Sequence, residues 1–170
     1  MVLCPRDLGH PDSVALVAAV QAGYVVRYGG EDSDAMDPSV FVPPRGLFLI
    51  GYVDGLPVAS GGWRCVGPED DPELQRGDTQ IKRMFVVSAH RGRGLARAVL
   101  AELERTAALA GRQRMVLETG SMQPEAIGLY ESSGYRPTTR FGYYRDAPNA
   151  RHYAKLLAVP AGSGAADCRG

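Results

Sequence analysis

A chain of 170 residues with 45% apolar and 22% charged side chains can bury one real core, and its composition is too ordinary for a disordered body. Nineteen lysines and arginines balance nineteen aspartates and glutamates, which leaves no global field to gather nucleic acid. The start has no basic run ahead of a long apolar one, and no stretch of about 18 apolar residues occurs, so a soluble, cytoplasmic protein with no membrane or nucleic-acid partner is expected.

In chain order, His10-Pro-Asp-Ser13 offers caps for a helix over residues 14–28, on which Val17, Val20, Tyr24 and Tyr28 form one stripe. Gly29-Gly30 stops it. Residues 31–38 form an acidic, breaker-rich connection with room for a short second helix before Pro43-Pro44. Apolar runs over 47–53 and 56–66, joined by Asp54-Gly55, predict a hairpin with a primed turn. Within its second arm Gly61-Gly62 marks a bulge or a close approach. A second acidic loop carries Glu69, Asp70, Asp71 and Glu73 and leads into a strand over 79–87 that ends Phe85-Val86-Val87.

Two glycines, Gly92 and Gly94, then switch the period from strand to helix, with Ala96, Val99, Leu100, Leu103, Ala107 and Ala110 at three- and four-residue spacing. Gly111 stands where a left-handed cap belongs. A strand over 114–119 is expected to run parallel to 79–87, because a helix crosses between them. Pro124 suits the first position of a helix reaching about Ser132, which Gly134 ends. Residues 135–137 start a further strand, 140–145 are aromatic-rich, and 151–157 form the last strand. The chain therefore reads as one domain over 1–158 with a flexible tail over 159–170.

Cys4, Cys65 and Cys168 have no C-x-x-C spacing, which argues for plain thiols rather than a disulfide framework or zinc. His10, His90 and His152 are similarly scattered and suggest no metal cluster.

A strand that turns into a helix through glycine is an anion site by construction, since the first helical N–H groups lack internal acceptors and the dipole is positive there. The phosphate loop of nucleotide hydrolases is excluded, because no Gly-Lys-Ser/Thr occurs. A dinucleotide fingerprint fails at its third position, which falls on Arg97. The pattern Gln/Arg-x-x-Gly-x-Gly/Ala is filled by Arg91, Gly94 and Ala96, and Ala126-Ile-Gly-Leu-Tyr-Glu-Ser-Ser-Gly-Tyr135 follows after the next strand. Together these segments resemble the two signature motifs of the GCN5-related N-acetyltransferase (GNAT) family, best from residue 80 to 157.

The resemblance implies an α/β GNAT fold: a mixed, mostly antiparallel central sheet with a splayed parallel strand pair, flanked by about four helices. It implies acetyl-CoA as co-substrate, with Arg91, Gly92, Arg93, Gly94, Leu95 and Ala96 on the pyrophosphate and the main chain of Phe85, Val86 and Val87 on pantetheine. Gln123 and Tyr130 would also meet the cofactor, with Tyr130 as the acid for the leaving thiolate. Many members carry a glutamate base where this chain has Gln80, and an amide has no useful basicity. Glu118 on the neighbouring strand is the best local substitute, with His90 second; an ion pair or a main-chain cap is the plain alternative for Glu118. The expected reaction is acetyl transfer to the primary amine of a small molecule, with the acidic stretches hinting at a cationic acceptor. A protein N-terminus or lysine as acceptor stays open, as does a binding module without turnover, and a homodimer is open because dimers are common in the family.

Overall fold

The computed structural model describes residues 1–34 and 37–158; the expected tail over 159–170, with Cys168, lies outside the described residues. In chain order the elements are β1 (Val2–Pro5), α1 (Pro11–Tyr28), β2 (Gly46–Val53), β3 (Leu56–Cys65), β4 (Asp78–Val86), α2 (Leu95–Leu109), β5 (Arg114–Gly120), α3 (Pro124–Ser132), β6 (Arg136–Pro137) and β7 (Ala150–Leu156), with 3-10 turns at Pro38–Phe41 and Ser88–His90. Among the described residues three α-helices stand where about four were expected, and the end of the acidic connection forms the 3-10 turn at Pro38–Phe41. The strands form a mixed, mostly antiparallel sheet in the order β1-β2-β3-β4-β5-β7-β6, with β4 and β5 parallel. No helix among the described residues is long and apolar enough to cross a membrane.

The described residues divide into two compact units, residues 1–63 with 82–103 and residues 64–81 with 104–158, so the division falls inside β3, β4 and α2. In the first unit, His10 caps α1 by accepting from the Asp12 N–H at 3.2 Å, and Pro11 opens the helix where its missing N–H costs nothing. Gly29 closes it at φ 75°, donating to Val25 O. Leu16 of α1 packs with Phe41, Phe48 and Ile50, a cluster to which Phe85 and Val87 add. Each such side chain contributes about 2 kcal/mol when buried. Asp54 and Gly55 both take positive φ, 51° and 77°, as the primed hairpin turn requires. Gly61 marks a close approach: a β-carbon there would stand 2.7 Å from Met84 Sδ and 2.9 Å from Val99 Cγ1. β1 was not expected, since four residues ending in proline carry little pattern; its ladder with β2, Val2 opposite Tyr52 through Pro5 opposite Leu49, defines it.

In the second unit β4 and β5 share only three rungs, Asp78, Thr79 and Gln80 opposite Arg114, Met115 and Val116. Both strands continue past that point, to Val86 and Gly120, which is the splay that was expected. Inside β4, Arg83 takes a left-handed φ of 56°, an irregularity of the kind that sets one residue out of a ladder. Gly111 ends α2 at φ 77°, and the Arg112 N–H reaches back to Ala107 O at 3.0 Å, a Schellman-type close. Val66, Leu74, Val116 and Phe141 form this unit's own cluster. Cys4 is a free thiol, but Cys65 is disulfide-bonded, which corrects the expectation of a plain thiol there. Spacing cannot reveal a bond that depends on tertiary proximity.

Candidate active site

The glycine loop lies in the first unit. The turn at Ser88–His90 is closed by the His90 N–H to Val87 O at 2.9 Å, and Gly92 and Gly94 follow at φ 71° and 76°. No atom stands within 4 Å of where a β-carbon would sit at either glycine, so the main chain is open to close approach. The first bond of α2 runs from the Ala98 N–H to Gly94 O at 3.1 Å, which leaves the N–H groups of Leu95 and Ala96 without acceptors inside the helix. Arg91 braces the loop against the end of β4: its Nε donates to Val86 O at 3.0 Å, and its guanidinium stands 5.8 Å from the Phe85 ring centroid. Val87 donates to Val58 O at 2.9 Å. Its carbonyl takes His90, so part of the main chain expected to meet pantetheine already serves the ladder and the turn. His90 stays on this loop, with a buried Nδ1 that finds no hydrogen-bond partner.

The second unit brings Gln80 and Glu118 together. Gln80, 3% exposed, accepts from Arg64 Nε at 3.0 Å and Nη2 at 2.8 Å, and donates through Nε2 to Glu118 Oε2 at 3.1 Å. Glu118 lies opposite His152 in the β5–β7 ladder. His152 Nε2 is 3.4 Å from Glu118 Oε1 and 3.1 Å from Phe141 O, and the Tyr144 N–H approaches the same carboxylate oxygen at 3.4 Å. The side chains of Glu118 and His152 are 7% and 1% exposed. The carboxylate is therefore a shielded group held by a hydrogen-bonded set that includes a main-chain N–H.

Tyr130 also lies in this unit, 5% exposed, with its ring edge-on to Tyr135 at 5.7 Å and 64°. Burial first, then the Glu104 carboxylate, push the Tyr135 phenol far above its ordinary range. Tyr135 Oη and Glu104 Oε1 nevertheless fall outside hydrogen-bonding geometry, so Glu104 acts on the phenol as a nearby charge. Gln123 sits just before α3, and its carbonyl, not its side chain, receives the Ala126 and Ile127 N–H groups at 3.0 and 3.1 Å.

Part of the acidic stretches is spent inside the protein, while Glu31, Asp37, Glu69 and Glu73 stay exposed. Asp34 pairs with Lys82 at 2.6 Å, Asp32 pairs with Arg83, and Asp70 Oδ2 takes the Gly67 N–H at 2.8 Å. Asp71, 6% exposed, receives Arg145 and the Gly142 N–H at 3.0 Å each. Burial raises its carboxyl pKa, but the Glu73 and Gly142 N–H groups and Arg145 outweigh it and hold the pKa below the usual value. These four carboxylates therefore already have partners. The same contacts tie down the aromatic-rich loop, where Tyr143 remains 63% exposed and edge-on to Tyr144 at 4.9 Å.

Arg64, Asp71, Tyr144 and His152 escaped the sequence reading. Only His152 left a signal, as a histidine within the last expected strand, between Arg151 and Tyr153.

Comparison with known proteins bears on the same elements. Residues 15–135 match the Acetyltransferase (GNAT) family. The IAA acetyltransferase of Azospirillum brasilense is 30% identical over 130 residues, covering 76% of this chain and 80% of its own length. The mouse protein "Probable N-acetyltransferase family 8 member 5" is 35% identical over 103 residues, which cover 61% of this chain but only 40% of that protein. Among solved structures, a Klebsiella pneumoniae protein named as an acyl-CoA N-acyltransferase superposes with a TM-score of 0.74 at 25% identity, over 92% of this chain and 97% of its own.

Proposed function

The chain belongs to the GNAT family of acetyltransferases, and on that premise we propose that it moves an acetyl group from acetyl-CoA to the primary amine of a small molecule, by direct attack and without an acyl-enzyme. The observation that carries this reading is the open glycine loop at the start of α2. Backbone N–H groups of Gly92 to Ala96 and the helix dipole suit a pyrophosphate, with Arg91 and Arg93 adding charge. The main chain at Phe85, Val86 and Val87 is assigned to the pantetheine amides, which would have to share the Val86 and Val87 groups with Arg91, Val58 and His90, and Gln123 offers a further amide.

A lysine-like amine is neutral in only about one part in a few thousand at pH 7, so a proton acceptor is needed before attack. Glu118 fills that role: it takes one ammonium proton, and the freed electron pair attacks the thioester carbonyl. The C–N bond forms and the C–S bond breaks. Tyr130 gives its phenolic proton to the departing thiolate and regains one from the acetylated nitrogen as the tetrahedral intermediate collapses. Solvent takes the proton left on Glu118. Gln80 cannot take a proton and serves by hydrogen bonding alone.

The test is acetyl-CoA consumption, read as free thiol, against polyamines, amino acids, aminoglycosides and short peptides, with acetyl-CoA binding measured in parallel. Turnover with a small amine supports the reading and names the acceptor. Turnover with peptides alone moves the acceptor to a protein terminus or lysine, and binding with no turnover favours a module that senses acetyl-CoA.

A further inference from the structure

His152 Nε2 faces two acceptors, Phe141 O at 3.1 Å and Glu118 Oε1 at 3.4 Å. A carbonyl oxygen only accepts, so Nε2 carries a hydrogen and points it toward both oxygens. The Phe141 ring lies edge-on to the imidazole at 5.1 Å and 72°, which fixes its plane. The other carboxylate oxygen faces Gln80 Nε2 at 3.1 Å. Gln80 cannot flip, because its Oε1 takes Arg64 Nε and Nη2 and a guanidinium only donates. Each oxygen of Glu118 is thus oriented by a buried donor, one from β4 and one from β7.

We propose that Gln80 and His152 are positioning residues that clamp the Glu118 carboxylate and fix the direction in which it takes the acceptor's proton. This rests on the proton-acceptor role given to Glu118 above. In that step an ammonium N–H bond breaks, an O–H bond forms on Glu118, and the electron pair stays on nitrogen for the attack. A base swung out of line loses most of its advantage even when it remains nearby. Gln80, whose amide has no useful basicity, then helps by holding the base instead of being it.

The experiment measures kcat and KM across pH for the full chain with acetyl-CoA and the fastest amine of the panel above, in wild type, Gln80→Leu, His152→Phe, His152→Gln and Glu118→Gln. The charged and titratable groups around the carboxylate include Arg64 from β3 through Gln80, His152 from β7, and Asp71 with Arg145 beside His152. Gln80→Leu and His152→Phe are expected to lower kcat by about tenfold or more, leave KM for acetyl-CoA unchanged and displace the acidic limb of the pH–rate profile. His152→Gln, whose amide can donate to the same two oxygens, should recover most of the loss. Wild-type kcat and pH profile in Gln80→Leu and His152→Phe, with Glu118→Gln inactive, would overturn the clamp and leave the proposed function standing. Equal losses in His152→Gln and His152→Phe with an unmoved pH profile would reduce His152 to a structural part and overturn it too. Full turnover in Glu118→Gln removes the proton-acceptor assignment, and the clamp falls with it.

Discussion

Asp78 and Arg114 stand opposite each other on the first shared rung of β4 and β5 and are joined by two hydrogen bonds, Nε to Oδ1 at 2.7 Å and Nη2 to Oδ2 at 2.6 Å. Asp78 has no exposed surface, and Oδ2 also receives the Gln75 N–H at 2.8 Å. The hydrogen bonds to Asp78 raise the Arg114 pKa despite burial. Removing one partner strands the other, so Arg114→Ala or Asp78→Ala should each cost about 3 kcal/mol or more in denaturant unfolding. Loss of both together should cost clearly less than the sum, and a double-mutant cycle reads that difference.

Gly94 holds a left-handed φ with open space around it. A β-branched residue there strains the loop by roughly 1–3 kcal/mol and blocks approach to the helix start. Gly94→Val should therefore weaken acetyl-CoA binding by at least about tenfold in titration calorimetry, with a melting temperature lowered only by the roughly 2–12 °C that this strain implies. Unchanged affinity would remove the pyrophosphate from this loop.

Tyr130→Phe keeps the ring that packs edge-on to Tyr135 and deletes only the phenol. If the phenol protonates the thiolate, kcat should fall by about a hundredfold while acetyl-CoA affinity holds. A variant with wild-type turnover across pH would leave Tyr130 as packing alone.

The pKa of Asp71 is lowered in the folded protein, so its stabilising effect is present in full above the unfolded carboxylate range and is lost as pH falls through the folded value. The unfolding free energies of wild type and Asp71→Asn should differ by a constant amount at neutral pH and converge in acid, below about pH 4. A gap that persists or widens in acid contradicts the direction of the shift.

What the sequence makes legible is local. Glycines at 29, 55, 94 and 111 announce their turns because each needs a left-handed backbone within a few residues of a period change. The two signature segments lie on contiguous stretches, so the loop and α3 could be placed without a structure. The network around Glu118 has no such local trace: Arg64, Gln80, Glu118 and His152 meet only because β3, β4, β5 and β7 fall in a particular order and register. For the same reason Asp32, Asp34 and Asp71 read as a solvated acidic surface, although long-range partners neutralise them. β1 too exists through its partner strand and not through its own pattern.

The 3.1 Å contact between the Gln80 amide and Glu118 carries a rule of mutual exclusion. Two ionised carboxylates cannot share that distance without one of them holding a proton. A glutamate at position 80 would therefore compete with Glu118 for the same negative charge, and the amide keeps the charge on β5. The two strands offer alternative addresses for one carboxylate, and exchanging amide and acid between positions 80 and 118 would move the proposed base from one strand to its neighbour while leaving the net charge of the site unchanged.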